Sequence, residues 1–521
     1  MVLDVLFYLS LVVYLLVLVI LSRRIKIAYP VMLVCGGMLL CFIPGIPRLN
    51  ISPDVIFLIF LPPLLYEAAW YTSWKDFWRW RRVICSFAFV IVLITSLLVA
   101  WVAVAVIPGF TLPLGLLLGG IVSPPDAVSA GAILKHIKVP RRVVAILEGE
   151  SLLNDASSLI VFRYSLIAVS TGQFVFHQAA QSFMLVIAGG VGVGVAIAFV
   201  LSRLHTWLRM DVNSEIVFTL ITPYLLYVTA EQLHVSGVLS VVSGGLFLSS
   251  KSHLFLSRSS RLRGSNVWSV LAFLLNGLVF LIIGLELPVI VAGLGDTALR
   301  TAILFGVLIA FVLMLSRVIC ALFASAFTMF VSRYITTADS RPGWKGPLVF
   351  GWAGMRGVVS LAAALSIPVY AADGSLFPER NLILFITFIV ILLTLVVQGL
   401  TLPLLIRSLD LEDRDKYMPR EVQEREIRKF LYESARSYIQ EQQQVSDISQ
   451  TSLEYVYSKL QHQFPPDDDD VLNKQISGIY LGLLQAQRER LAHLNQEPAY
   501  DDEVVRHFML LLDMEEDKLL H

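Results

Sequence analysis

The chain has 521 residues, 56% of them hydrophobic and 15% charged, with a formal net charge of zero. A mean hydropathy of +0.74 lies far above soluble averages. This composition excludes an ordinary soluble domain, gives no reason to expect a nucleic-acid partner, and points to many apolar spans with the charges gathered between them.

Stretches of about 17–25 apolar residues cross a bilayer as helices. Thirteen candidates follow in order: 3–22, 27–45, 54–71, 83–106, 112–135, 140–169, 182–204, 214–232, 235–250, 266–290, 300–332, 346–371 and 380–406. The first is not expected to be a cleaved signal, because no Lys or Arg precedes it and Arg23, Arg24 and Lys26 follow it. Alternate loops are basic: Arg23/Arg24/Lys26, Lys75/Arg79/Arg81/Arg82, Lys135/Lys138/Arg141/Arg142, Arg203/Arg209, Lys251/Arg258/Arg261/Arg263 and Arg333/Arg341/Lys345. These hold twenty basic residues, and the intervening loops hold three, Arg48, Arg300 and Arg380. The positive-inside rule makes the first set cytoplasmic. The reading is an all-α, multi-pass plasma-membrane protein with its N-terminus outside and its C-terminus in the cytoplasm.

Several spans carry residues that hydrocarbon does not tolerate without a reason. In the third, Leu61-Pro62-Pro63-Leu64-Leu65-Tyr66 precedes Glu67, which reads equally well as an ion ligand on the entry path or as half of a structural pair. In the fifth, Ser123-Pro124-Pro125-Asp126 removes two consecutive N–H donors and predicts a broken helix. Non-helical backbone at that depth survives only where protein buries it or a cavity borders it, so the freed carbonyls beside Asp126 are candidate ion ligands.

The sixth span holds Glu150-Ser151-Leu152-Leu153-Asn154-Asp155. Ionisable groups at membrane depth cost about 2.5–3.5 kcal/mol each even on lenient insertion scales and by default mark an ion or proton pathway. Ser151, Asn154 and Asp155 share one side of the helix at spacings of three and four. They offer a hydroxyl, an amide oxygen and a carboxylate, hard ligands of the kind alkali cations take. Glu150 points about 100° away. In the twelfth span Gly351-Trp352-Ala353-Gly354-Met355-Arg356-Gly357 is a second interruption with its own charge.

Arg356 needs a counter-charge, and Glu150 is the expected partner, leaving Asp155 free to change its charge. Arg317 in the eleventh span and Arg163, two turns beyond Asp155, are secondary charges, either of which could pair elsewhere. Glu286 reads as an interfacial charge. The two broken helices are each fifth in their half if spans one to six and eight to thirteen form two inverted six-helix repeats, the arrangement that places a transport site at the midplane.

Cys35, Cys41, Cys85 and Cys320 lie in or beside apolar stretches without metal-binding spacing, and the histidines do not cluster, so no metal centre or cofactor is predicted. An intramembrane protease would need a Ser/His pair or paired aspartates at depth, whereas His136, His177, His205, His234 and His253 all lie near loops. No enzyme is expected. From residue 407 to 521 the chain turns polar and reads as a cytosolic helical domain, with helices over 419–444 and 471–495. Between them Asp467-Asp468-Asp469-Asp470 lacks calcium-loop spacing and reads as a solvated linker and helix start.

Together, Leu61-Pro-Pro-Leu-Leu-Tyr-Glu67, Ser123-Pro-Pro-Asp126, Glu150-Ser-Leu-Leu-Asn-Asp155-Ala and Gly354-Met-Arg-Gly-Val-Val-Ser360 resemble the monovalent cation:proton antiporter family of bacterial sodium/proton antiporters and animal sodium/proton exchangers. The resemblance covers about residues 3–406. It implies a dimerisation bundle, a transport bundle, and a homodimer working by elevator-like alternating access. It implies that Asp155 binds Na⁺ and H⁺ in turn, with Asn154 its partner, Ser151 and Glu67 contributing to the Na⁺ site, and Glu150–Arg356 as internal salt bridge. The Asn-Asp pair, in place of Asp-Asp, implies electroneutral exchange. Many relatives carry Thr-Asp-Pro in the broken fifth helix where this chain has Pro125-Asp126-Ala127, so a ligand from position 125 must be its backbone carbonyl. The transported ions would be Na⁺ (or Li⁺, or K⁺) and H⁺. A proton-coupled carrier of a small organic solute is the alternative, and it would call for a larger pocket lined by aromatic and amide groups.

Overall fold

The computed structural model describes residues 2–25, 27–41, 53–134, 137, 139–171, 176–208, 210–294, 298–331, 343–370 and 375–411, with 481–489 and isolated positions in the C-terminal region. The chain divides into two compact units, Met1–Asp415 and Lys416–His521. In the second, 481–489 is helical. Asp467–Asp470 and most of the helices predicted over 419–444 and 471–495 lie outside the described residues. So do Lys26, Arg48, Lys135, Lys138, Arg209, Arg333 and Arg341 of the orientation argument, and His136.

An isolated β-bridge joins Tyr370 to Leu376, and among the described residues of the first unit the named elements are all helices. Its helices are α1 (Val2–Ile25), α2 (Tyr29–Leu40), α3 (Pro53–Tyr71), α4 (Trp74–Cys85), α5 (Val92–Val106), α6 (Leu112–Val122), α7 (Ala127–Leu134), α8 (Arg141–Thr171) and α9 (Phe176–Leu208). They continue as α10 (Val212–Gln232), α11 (Gly237–Phe255), α12 (Arg258–Leu285), α13 (Leu287–Ala292), α14 (Leu299–Val331), α15 (Lys345–Trp352), α16 (Val358–Leu365), α17 (Arg380–Leu393) and α18 (Gly399–Leu409). Among the described residues each predicted span overlaps at least one of these helices. Among the described residues seven stretches are long and apolar enough to cross a membrane by length and composition: Trp74–Val106, Arg141–Thr171, Phe183–Leu208, Val212–Gln232, Ser259–Ala292, Leu299–Phe330 and Arg380–Leu409. Two of these contain a π-helical turn, Ser86–Ile91 between α4 and α5 and Thr394–Gln398 between α17 and α18, the kind of widened turn that recurs at functional sites.

The two Pro-Pro pairs have opposite outcomes. Pro62 and Pro63 lie inside the continuous α3. Pro63 cannot donate to the Ile59 carbonyl one turn back, and the Tyr224 hydroxyl of α10 donates there instead at 3.2 Å. Pro124 and Pro125 separate α6 from α7, and the donors replacing their missing N–H groups build the site described below.

Glycines bring the backbones together where helices pack most closely. A Cβ on Gly37 of α2 would collide with the Leu281 carbonyl of α12, and one on Gly284 with the Val34 carbonyl of α2. Gly194 of α9 meets Ser240 of α11 in the same way. Small residues drive such membrane packing because lipid supplies no hydrophobic force between helices. At the corner of α9, α10 and α12 the buried His205 Nε2 lies 3.5 Å from Glu215 Oε1. Glu215 Oε2 accepts from the Ser257 N–H and hydroxyl at 3.2 and 3.0 Å, and Ser257 caps the N-terminus of α12. Outward faces carry bare apolar side chains such as Trp101, Leu185 and Phe323, which suits contact with lipid.

Candidate ion-binding site

The site is built from the hydrogen bonds that a broken helix cannot make. In a continuous α6–α7 the Gly120 and Val122 carbonyls would accept from the N–H groups of residues 124 and 126. Pro124 has none, and the Ser158 hydroxyl of α8 donates to Gly120 O at 2.7 Å. Asp126 turns its N–H away, donating to the Met355 carbonyl in the second break at 2.7 Å. Val122 O receives Arg356 Nε, and Arg356 Nη1 donates to Gly354 O. The Arg356 N–H donates to Thr394 Oγ1, in the π-helical turn, at 3.2 Å. The breaks at 123–126 and 353–357 therefore meet, each supplying groups the other lacks.

This wiring corrects one expectation. Sequence reasoning pairs Glu150 with Arg356, but the Glu150 carboxylate lies on Arg317 of α14, whose Nη2 donates to Oε1 at 2.7 Å and to Oε2 at 2.8 Å. Both side chains are 1% exposed. The physical reason lies in the helix ends. Arg356 stands at the C-terminal carbonyls of α6 and in the turn after α15, where partial negative charge collects, so its Nε and Nη1 are engaged there, while its Nη2 is buried without a hydrogen-bond partner among the described residues. Arg317 is thus a structural partner, and Gly354 makes room for it, since a Cβ there would collide with its Nε.

Asn154 and Asp155 face the first break. Asn154 Nδ2 donates to Pro125 O at 2.8 Å, so the backbone carbonyl that the sequence offers as an ion ligand is already held by the asparagine. Asn154 Oδ1 and Ser123 Oγ are wholly buried and have no hydrogen-bond partner among the described residues. Asp155 is 7% exposed, and Asp126 is close enough to interact with it electrostatically. Asp126 is half-buried immediately before α7 and accepts from the Ser129 hydroxyl at 2.7 Å, a carboxylate at a helix N-terminus.

The structure thus brings Asp155, Asn154, Pro125, Ser123 and Asp126 to one place. Ser151 lies one turn earlier on α8 and is half-buried. Glu67 is half-buried on α3 and shares with Asp126 an electrostatic neighbour, Tyr29 of α2. Arg163 lies apart, exposed further along α8.

Sequence reasoning missed Tyr29, Ser158 and Thr394. Ser158 had a legible signal: it lies three residues beyond Asp155 on the same helix, and a carbonyl freed by Pro124 needs a donor. The other two had no local signal. Gly357 adjoins the Asp126 carboxylate so closely that an added Cβ would collide with it. Gly357→Ala is expected to displace Asp126, cost about 1–3 kcal/mol through overpacking and slow the ion exchange proposed below. Thermal unfolding in detergent alongside a transport assay checks this; a variant with unchanged stability and rate would show that the carboxylate is not held there.

Residues 11–408 match the family described as sodium/hydrogen exchanger, transmembrane. The chain belongs to that family. It is 34% identical over 391 residues to the sodium, potassium, lithium and rubidium/H⁺ antiporter of Bacillus subtilis (strain 168), a match covering 73% of this chain and 58% of that protein. The chain thus spans under two thirds of that relative's length. It is 33% identical over 393 residues to the Na⁺/H⁺ antiporter ApNhaP of Aphanothece halophytica, covering 74% and 70% of the two chains. Its fold is that of the sodium proton antiporter MjNhaP1 from Methanocaldococcus jannaschii at pH 8, with TM-score 0.59, 18% identity and coverage of 78% and 99%.

Proposed function

We propose that this chain exchanges a monovalent cation, Na⁺ first and Li⁺ or K⁺ as alternatives, for H⁺ across the plasma membrane, with Asp155 as the shared binding group. The observation that carries this reading is a buried carboxylate on the helix whose Asn154 braces the break at Pro125, together with two buried oxygens of that same region, Asn154 Oδ1 and Ser123 Oγ, without hydrogen-bond partners among the described residues. Desolvation favours the protonated carboxyl, and a bound cation favours the ionised one. The two therefore compete for Asp155. A site that changes sides when loaded with either, and crosses poorly when empty and charged, gives obligatory exchange.

Asn154 holds the break at Pro125 and keeps its amide oxygen toward the site, Ser123 adds a hydroxyl, and Asp126, Ser151 and Glu67 shape its field. One carboxylate, carrying either one H⁺ or one monovalent cation, makes the exchange one-for-one and electroneutral. Movement by an elevator step in a homodimer and a cytoplasmic C-terminus complete the proposal. The names of the Bacillus and Aphanothece relatives support the ion class. The test is dequenching of a pH-sensitive dye in everted vesicles on adding Na⁺, Li⁺, K⁺ or Rb⁺ chloride. The expected result is proton flux driven by at least one alkali cation and insensitive to an imposed membrane potential. A chain that leaves the proton gradient intact with all four salts is not this antiporter, and an organic-solute carrier becomes the better reading.

We also propose that the functional division lies near residue 407, with the transport machinery before it. Truncation after Asp415 is expected to leave alkali cation/proton exchange in place with a changed rate or pH profile, because every candidate ligand lies upstream. An inserted, folded protein inactive at every pH would place part of the transport cycle in the C-terminal region.

A further inference from the structure

A cavity of about 930 Å³ opens between α8 and the α9–α11 side of the unit. Its wall includes Ala156, the residue after Asp155, and its titratable and charged groups are Arg163 and Tyr164 of α8, Tyr227 and Glu231 of α10, and His234 after it. Arg163 is exposed, and among the described residues no hydrogen bond or ion pair engages its guanidinium. Glu231 is committed elsewhere: its Oε1 accepts from the Gly237 N–H at 3.0 Å, at the start of α11. An arginine within a membrane span that no described residue pairs is costly and by default marks function. Here it stands in the cavity that reaches the neighbour of the candidate binding carboxylate.

We propose that Arg163 is an affinity-setting residue: its fixed positive charge in the cavity weakens the hold of the Asp155 site on the metal cation and the proton alike. This rests on the reading of Asp155 as the shared site. Eight residues of helix separate the two, about 12 Å along the axis. At an effective dielectric between that of a protein surface and that of water, one charge at this range changes the affinity for a second by about two- to tenfold.

The consequence is specific because both ligands carry one positive charge. Removing Arg163 strengthens both by the same factor and leaves their competition unchanged. On the alkaline plateau, where protons do not compete, the KM for the cation falls by that factor. In the acid range, where protonation limits binding, the two gains cancel and KM does not move. The pH at which the cation begins to lose to protons rises by the logarithm of the same factor, about 0.3–1 pH unit. A residue that only shapes the helix or anchors it at the membrane surface would change the amount of protein or the maximal rate, without this linked pattern.

The experiment measures NaCl-driven proton flux from pH 6 to 9 for the full chain in vesicles, normalised to folded protein, for wild type, R163Q, R163A and R163K. R163Q and R163A are expected to lower KM about two- to tenfold at alkaline pH only and to raise the acid limb in step, while R163K keeps the wild-type curve. The proposal is overturned by an unchanged KM and acid limb, by a change in maximal rate alone, or by R163K behaving as R163Q. Failure of both neutral variants to fold would overturn it too, since it would make the arginine structural. D155N serves as the separate control. Loss of flux in D155N with an unmoved R163Q ends this inference and leaves the Asp155 reading standing, whereas retained flux in D155N ends that reading itself.

Discussion

Asp155→Asn is expected to abolish cation/proton exchange while leaving the protein inserted and folded. The substitution keeps the size and one oxygen of the side chain and removes its titrating charge. Without that charge the site has neither a proton to release nor an anion to attract Na⁺, and the competition that couples the two gradients disappears. The fall should reach the background of vesicles lacking the protein, a loss of at least about two orders of magnitude if Asp155 is the shared group, because no other group in the proposed scheme carries the exchanged ion or proton. Flux assays in everted vesicles with size-exclusion profiles of the purified variant check both halves. Near wild-type flux would remove Asp155 from the mechanism.

The second large effect concerns stability. Glu150 and Arg317 form a pair sealed from solvent, with one guanidinium nitrogen bonded to both carboxylate oxygens. Removing one member strands the other charge, at a typical cost of about 3–5 kcal/mol. Glu150→Ala and Arg317→Ala should each lower the unfolding temperature strongly or prevent accumulation, and the double variant should lose much less than their sum. Glu150→Gln and Arg317→Met offer milder versions if the alanines do not accumulate. Glu150 combined with Arg356→Ala should give a far smaller coupling, since Arg356 Nε and Nη1 donate to the carbonyls of Val122 and Gly354 and the Glu150 carboxylate accepts from Arg317. Strict additivity for Glu150 with Arg317 would show that the two do not interact. Stronger coupling to Arg356 than to Arg317 would restore the pairing that the sequence suggests.

Much of the architecture was legible because its causes are local. Membrane depth needs only a run of apolar residues, and a break needs only Pro124 and Pro125, which lack donors wherever the helix lies. The same logic over-reads when a distant donor intervenes. Leu61-Pro62-Pro63 lacks donors as Ser123-Pro124-Pro125 does, yet α3 is continuous through it, and Tyr224, more than 150 residues away in sequence, donates to the freed Ile59 O. No window on the sequence contains that information.

The sequence by itself therefore determined the apolar helices of the first unit, the two interruptions and the family, since hydropathy, missing N–H groups and motif order are properties of short stretches. It also put Asn154 and Asp155 one residue apart on α8, at a depth where polar groups are costly. Only the tertiary structure decided who meets whom: Arg317 rather than Arg356 on Glu150, Ser158 on Gly120 O, Asn154 on Pro125 O, and Asp126 turned toward Met355. Those choices depend on the rotation and axial register of packed helices. A shift of one residue in register turns a side chain by about 100°, so which of several arginines or hydroxyls reaches a stranded group is fixed only when all the helices pack together.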